Sequence, residues 1–251
     1  MSGWLTAGFF GLLSASGLLV GAVAGWRFEA RHRTIAAVTA VGVGLLIGAA
    51  SLFLVVSALE AAPASTVAVG ALVGGGAFSL LNLVLDRWEA NKRKRCGACV
   101  RQPNETETPG SGLAIAIGSL FDAVPEALII GAAVTATEAF PPLALVGAFA
   151  LGNFAEGLSS TSGMKSAGRT RNFVFAVWAA VALITVAAAI IGNLAFSGSG
   201  VERSWLESIA AGALIALVVE TLAPEAVHGQ PRFSGLLAIL GFAALLMALA
   251  A

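Results

Sequence analysis

Apolar runs long enough to cross a bilayer recur along this chain, and short stretches rich in arginine and lysine separate them. Eight such runs are read, at about residues 4–26, 34–59, 64–85, 112–135, 141–163, 173–195, 206–228 and 233 to the end. Crossing ~30 Å of hydrocarbon at ~1.5 Å per residue takes about twenty residues, so each run predicts one membrane-spanning helix. Barrel strands would be about ten residues long with alternating polarity, a pattern these runs lack. Of the 251 residues 58% are hydrophobic and 11% charged, too few charges to coat a water-soluble fold of this length. The expected fold class is therefore an all-α polytopic membrane protein, with residues 1–251 as a single transmembrane domain. The opening MSGWLT has no Lys or Arg, so the first run reads as a retained span and not as a secretory signal.

The basic residues orient the spans. Arg27, Arg31 and Arg33 lie between spans 1 and 2, and a cluster from Arg87 to Arg101 lies between spans 3 and 4. Lys165, Arg169 and Arg171 lie between spans 5 and 6, and Arg232 between spans 7 and 8. Arg203 is the only basic residue on the other side. The positive-inside rule puts these four loops in the cytoplasm and both termini outside. The longest of them, about 86–111, has almost no bulky apolar residues and is expected to be a flexible cytoplasmic loop.

The acids do not follow the bases into the loops. Asp122 and Glu126 fall in the middle of span 4, in SLFDAVPEALIIGA; Glu156 falls within span 5 and Glu220 within span 7. A charge at the bilayer centre costs ~2.5–3.5 kcal/mol, so four unpartnered acids represent roughly 10 kcal/mol. No Lys or Arg is read within a span to neutralise them. Either burial and mutual repulsion keep them protonated, or a cation sits between them. Asp122 and Glu126 are four apart and share a helix face. Pro125 frees the Phe121 carbonyl, and Pro224 in ETLAPEA frees that of Glu220; inside a membrane such a carbonyl needs a partner. Span 5 adds Asn153, three residues before Glu156, with several hydroxyls after it.

In these residues the chain resembles the ZIP (Zrt/Irt-like) family of divalent metal transporters, as a divergent prokaryotic-type member. That family has eight spans, external termini and a variable cytoplasmic loop between spans 3 and 4. Its span 4 pattern, His-Asn-x-Pro-Glu-Gly, falls on Asp122 to Ala127, and its span 5 pattern, with x-Pro-Glu-Gly at its end, falls on Gly152 to Gly157. Its later Glu followed by Leu-x-Pro-Glu-Ala falls on ETLAPEA. The resemblance implies a metal site on helices 4, 5 and 7. There Glu126 and Glu156 would bridge, with Asp122, Asn153 and Glu220 around them. The span 4 histidine is Asp122 here, the following asparagine is Ala123, and the first span 5 position is Gly152. A site of oxygen donors alone leans toward Mn²⁺ or Fe²⁺, with Mg²⁺ and Ca²⁺ in the same hard class, while the family default is zinc.

The expected function is transport of divalent cations (Zn, Mn, Fe or Cd) by alternating access, at a prokaryotic inner (cell) membrane. The metal is substrate; no permanently bound cofactor and no enzyme activity are expected, and the partners are lipid and metal ions without nucleic acid. The alternative is an H⁺- or Na⁺-coupled transporter of a small organic solute. An intramembrane protease is disfavoured, because Asp122 is the only Asp in a span and no His lies mid-membrane. Glu225 and His228, near the cytoplasmic end of span 7, are candidates for an exit or accessory site. Cys96 and Cys99 in CGAC have half the spacing of a zinc ribbon and are candidates for a loop metal contact. Glycines recur every four residues at Gly17, Gly21 and Gly25, at Gly44 and Gly48, and at Gly70 and Gly74. Such ridges allow close helix approach within one subunit or across a homodimer.

Overall fold

The structure, a computed structural model, describes residues 3–28, 32–87, 111–136, 143–195, 200–229 and 232–249. Within these, the side chains of residues 32, 85–87, 111–117, 121–122, 135–136 and 229 are not described. Cys96, Cys99 and most of the loop read over 86–111 lie outside the described residues.

The described residues are helical, with no strand among them. In chain order they form α1 (Gly3–Arg27), α2 (32–61), α3 (Ala64–Arg87), α4 (Ser111–Ala136), α5 (Leu143–Ser166), α6 (Arg171–Ala195), α7 (200–229) and α8 (Ser234–Leu249). Two helices widen partway. A π-helical stretch, Ala49–Val55, interrupts α2, and another, Val218–Leu222, interrupts α7 just before Pro224. There the Ala223 N–H reaches back five residues to the Val218 carbonyl. A π turn of this kind lets a helix pass a proline without stranding backbone groups. α4, by contrast, continues as α-helix through Pro125.

Six of these helices are long and apolar enough to cross a membrane: α1, 33–61 of α2, 64–84 of α3, α5, α6 and 200–228 of α7. α8 is apolar but shorter, at 16 residues. Large hydrophobic side chains stand exposed on their outer faces, among them Leu72 at 75%, Leu183 at 71% and Ile239 at 65%. An exposed apolar surface of this extent belongs against lipid.

Packing sorts the helices into two groups. α1 packs on α5, α6 and α4, and α4 on α6; α3 packs on α7, and α2 on α8 and α7. Fewer contacts join the groups, chiefly α2 with α5 and α4 with α7. The glycine ridges make the closest of these approaches, and they do so within the chain. A Cβ added to Gly17 would lie 1.9 Å from the Ala150 carbonyl oxygen, and one on Gly157 2.3 Å from that of Leu18. Gly44 and Gly241 meet the Ala238 and Val41 carbonyls in the same reciprocal way, at 1.8 and 2.2 Å. Gly74 and Gly212 meet those of Ile209 and Ala71 at 1.8 and 1.9 Å; Gly131 and Gly192 meet those of Ala189 and Leu128 at 1.9 and 2.3 Å.

These contacts also give direction. Gly17, Gly21 and Gly25 meet residues 150, 154 and 158 in the same order, so α1 and α5 run parallel. α1 and α6 run antiparallel, with Gly3 against Asn193 and Gly11 against Ala189. The glycine-paired helices are α1 with α5, α2 with α8, α3 with α7 and α4 with α6. Each pair is an even number of helices apart, as a chain of alternating crossings requires.

At one end of the bundle the ends of α1, α5 and α6 carry a basic and aromatic rim. Lys165 Nζ donates to the Trp26 carbonyl at 3.0 Å and lies over the Trp26 ring. Arg169 stacks on Phe173 and Arg171 on Phe175. The turn between α5 and α6 is a Schellman cap: Gly168 takes φ +79°, its N–H meets the Lys165 carbonyl and the Arg169 N–H that of Met164. The Thr170 hydroxyl then accepts from the Phe173 N–H and caps α6.

Two alanine substitutions on α3 test the close approach. Gly74→Ala drives a methyl into the Ile209 carbonyl and is expected to cost about 1–3 kcal/mol, the usual scale of overpacking. Gly76→Ala meets nothing within 4 Å, and by removing glycine's backbone freedom it should be neutral or gain up to about 1 kcal/mol. Thermal unfolding of the two purified variants, read against wild type, checks the ordering.

Candidate functional site

α4, α5 and α7 each carry a carboxylate into the interior. Glu126 on α4 is 4% exposed, Glu156 on α5 8% and Glu225 on α7 3%. Asn153, one turn before Glu156, is 3% exposed. Its amide nitrogen donates to the carbonyl and hydroxyl of Ser14 on α1 at 3.3 and 3.2 Å. That commits the nitrogen and leaves Oδ1 as the atom able to meet a cation. Asp122 lies one turn before Glu126 on α4; its side chain is outside those described.

The two acids of α7 face different neighbours. Glu220, inside the π stretch, is partly exposed and turns to α3. One of its oxygens accepts from the Ser79 hydroxyl and the other from the Asn82 amide at 2.7 Å. Glu225, beyond Pro224, is buried and accepts from the Ser159 hydroxyl of α5. Ser159 lies one turn after Glu156. Of the two, then, Glu225 is the one turned to the α5 face that carries Asn153 and Glu156, while Glu220 is tied into the α3–α7 pair. The Ser159–Glu225 hydrogen bond crosses from one helix group to the other.

The surroundings of the acids are asymmetric along the bundle. Toward the end where α2 and α4 terminate lies the largest apolar cluster, with Leu46, Leu54, Ile130, Phe149, Leu214 and Leu217 all buried in it. Toward the opposite end the same helices carry hydroxyls. Thr39, Ser119 and Ser160 are 1%, 0% and 0% exposed, and their hydroxyls have no hydrogen-bond partner among the described residues. Ser119 is seven residues from Glu126 and Ser160 four from Glu156, which puts each on the face of its acid. Buried polar groups ordinarily find a partner in protein or ordered water. These hydroxyls supply oxygen donors on one side of the acids only.

A further buried acid, Glu207, was not among the expected site residues. It is 3% exposed near the start of α7 and accepts from Arg203 Nε at 2.8 Å and from the Ser57 hydroxyl at 3.0 Å. Ser204 adds a hydrogen bond to the Ala58 carbonyl at 2.8 Å. Together they clamp α7 to α2 at the end away from the basic rim. The sequence does carry the signal, a base and an acid four residues apart on a helix. Because Glu207 has its own base, it does not belong with the mid-span acids.

Among the described residues, no three His, Cys, Asp or Glu side chains lie close enough together to hold a metal ion. What the interior offers is carboxylate, amide and hydroxyl oxygen. His228 is exposed at the end of α7, three residues after Glu225, with Nδ1 3.0 Å from the Pro224 carbonyl. The chain matches no protein-family model and no curated protein.

Ser159→Ala takes a donor from the buried Glu225 carboxylate. A hydrogen bond to a charged group contributes about 1.5–3 kcal/mol, so the variant is expected to unfold at lower temperature than wild type. Ser159→Thr keeps the hydroxyl and should retain most of the stability. Differential scanning fluorimetry of the three proteins makes the comparison.

Proposed function

We propose that this chain is an eight-span integral membrane protein, both termini outside, that carries divalent metal cations across the membrane by alternating access. Three carboxylates from α4, α5 and α7, each 8% exposed or less, carry the reading. Burying anions in so apolar a bundle is costly, and the cost is offset when a cation shares their oxygens. Glu126 and Glu156 are also positions at which the resemblance to ZIP transporters implies ligands; on α7 it implies Glu220, with Glu225 a candidate for an exit or accessory site. Glu126 and Glu156 bridge the ion in this reading, with Asn153 Oδ1 and Asp122 beside them. Glu225 of α7 is not part of that cluster and serves on the cytoplasmic side as an exit or accessory acid, and Glu220 supports α7 from the α3 side. The membrane is a prokaryotic inner membrane.

The asymmetry around the acids supplies the gating. The apolar cluster closes the outer side, and the hydroxyls of Ser119, Ser159 and Ser160 with Thr39 line the way to the cytoplasm. The basic rim at Trp26, Lys165, Arg169 and Arg171 marks that cytoplasmic end, as the positive-inside rule requires. When the ion leaves, the buried carboxylates take up protons, so that transport and proton movement are coupled. Donors made of oxygen alone favour Mn²⁺ and Fe²⁺ relative to a histidine site, with zinc the ion of the family.

Uptake of Mn²⁺, Fe²⁺, Zn²⁺ and Cd²⁺ into proteoliposomes tests the proposal. Wild type should accumulate at least one of them, and Glu126→Ala and Glu156→Ala should each reduce uptake to near the protein-free rate. Equal uptake by all three proteins would defeat the site.

A further inference from the structure

We propose that a cleft between α3, α4 and α7 holds the alkyl chain of a membrane phospholipid. The cleft has a volume of about 280 Å³. Ala77 and Phe78 of α3, Pro125 and Leu128 of α4, and Ile209 and Ala213 of α7 line it, and no charged or hydrogen-bonding side chain among the described residues does. Its walls come from both helix groups, so an occupant touches each.

The mouth points to the occupant. Ala77 and Ile209 are exposed, and they continue an apolar outer face that includes Leu72, Val73, Leu80 and Trp205. In a bilayer that face meets acyl chains. A cavity of ~150 Å³ with apolar walls stays free of water and takes up a small hydrocarbon. This cleft is larger and equally apolar, so neither water nor a headgroup satisfies it. Left empty, its walls would lose dispersion contacts on one side. A second copy of the chain cannot enter, because a helix with its side chains is ~10–12 Å across. The undescribed stretch after α3, WEANKRKRCGACVRQPNETETPG, is polar and charged apart from Trp88 and a few small residues, and has no apolar run to fill it. The inference requires the chain to lie in a bilayer and is independent of the cation reading.

The test uses the full chain in liposomes containing phosphatidylcholine with a photoactivatable diazirine on the acyl chain, with adducts mapped by mass spectrometry. Adducts are expected on Phe78, Leu128 and Ala213 as well as on the exposed Leu72. Filling the cleft with Ala213→Leu should reduce the Phe78 and Leu128 adducts several-fold and leave Leu72 unchanged. Ala77→Leu, from the opposite wall, should do the same and serves if the first variant does not fold. Labelling of Leu72 without Phe78 or Leu128, labelling indifferent to both fillings, or protein–protein adducts across the cleft mouth would each overturn the inference.

Discussion

Backbone-to-backbone contact at glycine underlies the whole arrangement. Among lipid tails, apolar side chains gain little by meeting one another, since lipid is as apolar as leucine. Association then depends on fit, and fit is best where a missing Cβ lets a carbonyl oxygen settle against a neighbouring helix. Four reciprocal contacts, centred on Gly17, Gly44, Gly74 and Gly131, join the helices in parallel pairs. The two groups follow from these pairs, from the contacts α1 makes with α4 and α6, and from the packing of α2 on α7.

Weak joining between the groups is what makes the buried acids consequential. Glu126 and Glu156 belong to one group and Glu225 to the other, and a hydroxyl–carboxylate bond at Ser159 links them. In the proposed reading, a cation among the acids would add to that tie, and its departure would weaken it. The π stretches of α2 and α7 lie in the helices that pack on each other within the second group. Widened turns of this kind recur where a helix has a functional task.

The helices were largely legible in advance. The run read at about 4–26 is α1, Gly3–Arg27, and that read at about 112–135 is α4, Ser111–Ala136. The run read from about 206 begins earlier, at Gly200, because Arg203 and Glu207 satisfy one another and let the helix carry charge. Six of the helices meet the length and hydropathy of a membrane span. The glycine repeats were visible as ridges, but whether they met within one chain or between two was not. Each ridge is a property of one helix, and its partner lies far away in sequence: Gly44 meets Ala238 and Gly74 meets Ile209.

By itself the sequence determined that the chain is a set of long apolar helices, and that acids without nearby bases sit inside them. Both follow from local composition and length. Tertiary structure decided which neighbour each acid meets. Glu220 and Glu225 are five residues apart on one helix, yet the first is held by Ser79 and Asn82 of α3 and the second by Ser159 of α5. The π turn and Pro224 between them rotate the helix by an amount that no spacing rule predicts, and only the packing of α3 and α5 on either side gives each carboxylate its partner.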